Sequence, residues 1–127
     1  MEKKIIRTGN APAPIGPYNQ AVLSGNMLFI SGQIALNPKD GTLFTGDIQS
    51  ETEIVMQNLQ AILKEAGMDF GNVVKTSIFL MDMKKFAEVN EVYGKYFDEA
   101  TAPARETVQM AGLPRGVQVE ISMIAAK

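Results

Sequence analysis

The stretch VVKTSIFLM, residues 73–81, constrains the fold of this chain more than any other. Side chains on a β-strand alternate between the two faces of its sheet. Here both faces are apolar, with Val74, Ile78 and Leu80 on one and Val73, Phe79 and Met81 on the other. Such a strand belongs in a sheet covered on both sides. The flanking sequence supplies only two helices. From Asp47 or Ser50, Ile54/Val55, Leu59, Ile62/Leu63 and Ala66 recur at spacings of three and four; SETE resembles a capping box and Gly67 is the expected stop. Asp82 is a suitable cap for a second helix, whose apolar stripe is Phe86, Val89, Tyr93 and Tyr96/Phe97. Two helices cover one face of a five- or six-stranded sheet, and right-handed crossovers put both on the same side. The other face has no cover within the chain, so a homo-oligomer is expected.

The remaining segments read as strands and loops. KIIRT (4–8) is a short strand, and GNAPAPIGPY (9–18), with three prolines and two glycines, is an irregular loop. NQAVLSGNMLFISGQI is a hairpin turning at Gly25-Asn26, because that pair tolerates positive φ. ETVQMAG and VQVEISMIAA are two final strands around Leu113-Pro114-Arg115-Gly116. The order is β-β-β-α-β-α-β-β, a single α+β domain over residues 1–127.

Composition removes much of catalytic chemistry. The chain has no histidine and no cysteine, which excludes Ser-His-Asp and Cys-His nucleophiles, an imidazole base and a His/Cys zinc site. Twelve basic against fourteen acidic residues give a net charge of −2, so neither nucleic acid nor an anionic membrane is the expected partner. MEKKIIRTGN contains no signal-peptide core, and the longest uninterrupted apolar runs, such as MLFI and IFLM, are four residues, far from the ~20 needed to span a bilayer. A cytoplasmic location is expected.

Parity then groups the remaining chemistry. In the last strand Val117, Val119, Ile121 and Met123 share one face, and Gln118, Glu120 and Ser122 the other. Taking Val108 and Met110 as the helix-facing pair of the preceding strand leaves Arg105, Thr107 and Gln109 on the uncovered face beside Glu120 and Ser122, with Glu106 on the helix side. The same count puts Ser31 with Phe29 and Gln33. Two readings of this arrangement stay open. Arg105 and Glu120 form an interfacial ion pair, or Arg105 presents its fork to a substrate carboxylate while Glu120 works as general base and acid. Tyr18, after the proline-rich loop, is either a lid or a packed tyrosine. Ser31-Gly32 is either a close backbone approach to a ligand or a strand-end bulge. Asn90 reads most simply as a polar helix position, and the eight methionines as core filler.

Taken together, NAPAPIGPYNQAV, LFISGQI, VVKTSIFLMDMKKFAEVNEVYGKYF, PARETVQ and LPRGVQVEISMIA resemble, in order and spacing, the RidA/YjgF-type reactive intermediate deaminases. The resemblance implies a chorismate-mutase-like α+β fold assembled as a homotrimer, with clefts between subunits that bind 2-imino or 2-oxo acids without cofactor or metal. By motif, Arg105 would bind the substrate carboxylate and Glu120 would position or activate water. Tyr18, Ser31, Gly32, Asn90 and Thr107 would line the cleft. Many relatives carry an aromatic residue and a cysteine where this chain has Ala102 and Thr107; the backbone carbonyl at 107 remains available to an imine nitrogen.

That reaction suits a chain without imidazole or thiol. Dehydratases acting on serine or threonine release enamines that tautomerise to 2-imino acids, whose protonated C=N carbon is already electrophilic. Water adds, and the carbinolamine expels ammonia to leave a 2-oxo acid. The protein need only orient a small anion and place one water. Three alternatives stand beside this one: a trimeric 2-oxo acid-binding module without turnover, an endoribonuclease or translation inhibitor, and, on likeness of fold alone, chorismate rearrangement.

Overall fold

The computed structural model describes residues 2–127. Its elements are β1 (Lys3–Ile6), β2 (Ala21–Ser24), β3 (Met27–Gln33), α1 (Ile48–Glu65), β4 (Val73–Leu80), α2 (Phe86–Gly94), β5 (Ala104–Gln109) and β6 (Val119–Ala126). The six strands form one mixed sheet in the order β1-β2-β3-β6-β4-β5, antiparallel throughout except for the parallel pair β4–β5. The hairpin turns at Gly25, where φ is 62°.

Local chemistry sets the helix boundaries. Asp47, not Ser50, caps α1: its side chain accepts from the Ser50 N–H at 2.9 Å. Gly67, at φ 71°, follows the last turn, a left-handed position that suits glycine. Asp82 caps a short 3₁₀ turn, Met83–Lys85, that runs directly into α2. Tyr96 and Phe97 lie beyond the end of α2, yet both rings pack on Phe70 with centroids 5.1 and 5.3 Å apart.

The core lies between the sheet and the two helices. Val119, Ile121, Met123 and Ala125 of β6 and Ile78 and Leu80 of β4 are buried against Val55, Met56, Leu59, Ile62 and Leu63 of α1 and Val89 of α2. The opposite face of the sheet carries Ile5, Phe29 and Val108, each well exposed within the chain.

Three side-chain placements differ from the alternation in the sequence. A bulge between Val73 and Lys75 turns Val73 into the core and leaves Val74 exposed. A second bulge, between Ile30 and Gln33, turns Gln33 to the core side opposite Ile121. The third concerns β5. Its parallel register sets Arg105, Thr107 and Gln109 beside Thr76, Ile78 and Leu80, which are fully buried on the helix side. Arg105 and Thr107 therefore lie on the helix face, not the uncovered one. Glu106 lies on the uncovered face, where it pairs with Lys75 at 2.9 Å and accepts from the Ser77 hydroxyl. The sheet is apolar on both faces and β5 is an edge strand, so Val108 and Met110 carry no information about which face meets the helices.

One buried acid joins helix to strand. Glu51 of α1 accepts from the Gln118 N–H at 2.8 Å, the Val119 N–H at 3.1 Å and the Gln118 side-chain amide at 2.9 Å. This fixes the start of β6 at Val119, one residue before Glu120. Removing the acceptor strands buried donors, each costing ~1–3 kcal/mol. Glu51→Ala is expected to lower stability by about 2–4 kcal/mol, and Glu51→Gln by less, in urea unfolding at fixed protein concentration.

Candidate functional site

Apart from Thr107, the site residues singled out in the sequence fall into two hollows that share no residue. The first, about 540 Å³, opens beside the β3 bulge and is lined by Tyr18, Ser31, Gly32 and Glu120, together with the 12–15 loop and Pro114-Arg115. Ser31 is held by two bonds: its N–H donates to Gln20 O at 2.9 Å and its hydroxyl to Asn19 O at 2.6 Å. Tyr18 is half exposed, and its hydroxyl accepts from the Ile15 N–H at 3.3 Å, which ties the loop over the hollow to its own rim. Ser31-Gly32 forms the β3 bulge, and its backbone comes close to the Glu120 side chain. A Cβ on Gly32 would collide with Oε2 of Glu120 and lie 2.9 Å from its Cδ.

Glu120 is half-buried, on the face opposite Val119 and Ile121, and its carboxylate has no hydrogen-bond or ion-pair partner among the described residues. Burial alone pushes its carboxyl above the usual 4.5. The linkage has a definite sign. The folded protein holds this proton to higher pH than the unfolded chain does, so Glu120 makes stability fall as pH rises from about 4.5 through its raised value. Glu120→Gln is therefore expected to melt higher than the parent at pH 7, with the gap closing below pH ~4.5. A thermal-melt series in pH checks this.

The second hollow, about 710 Å³, lies at the end of α2 and is lined by Asn90, Tyr93, Gly94, Ala102, Pro103 and Arg105, among others. The Arg105 guanidinium donates to Asn90 Oδ1 at 2.6 Å and lies 5.4 and 5.1 Å from the ring centroids of Phe86 and Tyr93. This stacking orients the planar fork while leaving donors free. Burial pushes the Tyr93 phenol above its ordinary value, outweighing the opposing pulls of its Thr76 hydrogen bond and the Arg105 charge, so it remains a neutral donor to Thr76 Oγ1 at 3.0 Å. Thr107 follows Arg105 on the same face but does not line this hollow; its hydroxyl oxygen is buried and has no hydrogen-bond partner among the described residues.

Asn90 thus contacts Arg105 directly rather than being an ordinary polar helix position. Arg105 and Glu120 do not form an ion pair within the chain, because they occupy opposite faces of the sheet. Arg115, a lining residue of the Glu120 hollow, was not singled out in the sequence; its one signal there is the Pro-Arg-Gly turn. Among the described residues no three His, Cys, Asp or Glu side chains come together as a metal set, and no helix is long and apolar enough to cross a membrane.

The fold and these clefts define a small α+β protein with ligand-sized hollows on either side of one sheet. The chain belongs to the endoribonuclease L-PSP family, the YjgF/RidA family, whose model matches residues 8–127. A RutC family protein of Synechocystis sp. is 53% identical over 98% of this chain and 97% of its own length. The 2-iminobutanoate/2-iminopropanoate deaminase of Mus musculus is 49% identical over 98% and 92%. Among solved structures, E. coli TdcF with bound serine superposes with a TM-score of 0.91 at 43% identity, covering 98% of each chain.

Proposed function

We propose that this protein is a 2-iminobutanoate/2-iminopropanoate deaminase, hydrolysing reactive imines to 2-oxo acids and ammonia. Each site is assembled from two copies of the chain: Arg105 and Asn90 from one, Glu120, Gly32, Ser31 and Tyr18 from its neighbour, in a cyclic homotrimer. The observation that carries this reading is the separation itself. An oriented guanidinium and an unpartnered, partly desolvated carboxylate suit one small substrate, yet in a single chain they lie on opposite faces of the sheet. The exposed apolar face and the free edge of β5 give a second copy its docking surface. The mouse relative is named for this reaction. TdcF, with serine bound, holds a small acid with the carboxylate and C2 nitrogen that a 2-imino acid also carries.

The chemistry follows from the two groups. Arg105 grips the carboxylate of the protonated imine and fixes its C2. Glu120, ionised, takes a proton from a water as that oxygen bonds to C2, giving a carbinolamine. It then returns the proton to the nitrogen; the C–N bond breaks, ammonia leaves, and the oxygen becomes the carbonyl of the 2-oxo acid as its remaining hydroxyl proton passes to Glu120 and on to the departing ammonia or solvent.

The family description favours a second reading, RNA cleavage. Against it stand the net charge of −2 and the absence of histidine for acid–base work. One assay separates the readings: serine dehydratase turning over L-serine, with pyruvate formation followed with and without this protein. Faster imine decay with no RNA degradation by the same preparation is expected. An unchanged rate refutes the deaminase.

A further inference from the structure

Resting on the reading just given, we propose that Arg115 fits this site to 2-imino and 2-oxo acids bearing a second carboxylate. It would hold that distal group while Arg105 of the neighbouring copy holds the first. Among the described residues, Glu120 and Arg115 are the sole charged ones lining the 540 Å³ hollow, and much of the remaining wall is apolar. Glu120 is half-buried and Arg115 exposed, so the two charges of this hollow stand at different depths.

The arginine is built into place. Arg115 is the one non-glycine residue with positive φ among the described residues, at φ 56° and ψ 19°. That conformation is unfavourable for any side chain with a Cβ, and such outliers gather where a side chain has a task. Pro114 precedes it, Gly116 at φ 70° follows, and hydrogen bonds from Gly116 N to Leu113 O and from Val117 N to Pro114 O lock the turn. Two of the three arginines have partners, Arg7 on Asn19 and Arg105 on Asn90. The guanidinium of Arg115 has no hydrogen-bond or ion-pair partner among the described residues. It can therefore give paired N–H groups to a carboxylate without breaking an existing contact. It also offsets the repulsion that an ionised Glu120 would exert on a dianion.

Calorimetric titration of the intact oligomer with 2-oxoglutarate and with 2-oxobutanoate tests the proposal, the readout being the ratio of the two affinities. The parent is expected to favour 2-oxoglutarate by about tenfold or more, the scale of one charge-assisted pairing. Arg115→Gly, which fits the left-handed backbone without strain, should bring the ratio close to one. Arg115→Lys should fall between. A ratio that is the same in the parent and in Arg115→Gly, or a parent preference for 2-oxobutanoate, overturns the role of Arg115 and leaves the two-copy site standing. If the parent binds neither acid, the two-copy reading falls and this inference with it.

Discussion

Arg105→Ala and Glu120→Gln, each nearly inactive as a pure preparation, should regain about a quarter of parental turnover when mixed in equal amounts and reassembled together. The arithmetic follows from a ring of heterologous contacts. A site is intact only when one copy brings Arg105 and the next brings Glu120, and each condition is met half the time. Arg105→Ala alone removes a charge-assisted, bidentate contact worth ~1.5–3 kcal/mol, at least about ten- to a hundredfold in rate. Arg105→Lys should recover little, because a point charge does not replace the fork that lies over Phe86 and Tyr93 and bonds Asn90. If both residues served a site within one chain, every copy in the mixture would carry a defect and activity would stay at the level of the mutants. Steady-state imine hydrolysis before and after subunit exchange decides between the outcomes.

How far this arrangement could be read from the sequence depended on what each pattern measures. Element order was legible because period-two and period-3.6 apolar repeats, glycine stops and carboxylate caps are local signals; Asp82, Gly67 and Gly25 stand where those signals put them. That one sheet face would lack cover within the chain was also legible, from a strand apolar on both faces beside only two helices, and Ile5, Phe29 and Val108 are exposed there. What alternation could not resolve was orientation on the edge strand. Apolar character alone puts Val108 and Met110 on the core side, but the uncovered face is apolar too, and the register with β4 decides the matter. The bulges at Val73–Lys75 and Ile30–Gln33 each reverse a parity count, and nothing local in the sequence announces the first. The consequence reached the site. Parity makes Arg105 and Glu120 neighbours on one surface, whereas the fold sets them on opposite faces, and the proposed site draws them from two copies.

Gly32→Ala should cost about a hundredfold in imine hydrolysis while leaving the melting temperature nearly unchanged, because it acts on one side chain's position. Gly32 lies in the β3 bulge with its Cα against Glu120, and an added methyl would occupy the space that the carboxylate now fills. The backbone there is not left-handed, so alanine brings no conformational strain. The colliding atoms are the far end of a flexible side chain, so the strand need not move. Glu120 would swing away instead, by roughly the ångström that a well-oriented proton transfer does not tolerate. Binding of 2-oxobutanoate, which depends on Arg105 of the other copy, should weaken far less than turnover. This split between kcat and affinity distinguishes a displaced base from a collapsed pocket. Equal losses in both would mean that Gly32 shapes the cleft as a whole, and near-native turnover would mean that Glu120 does not handle the proton from where it now sits.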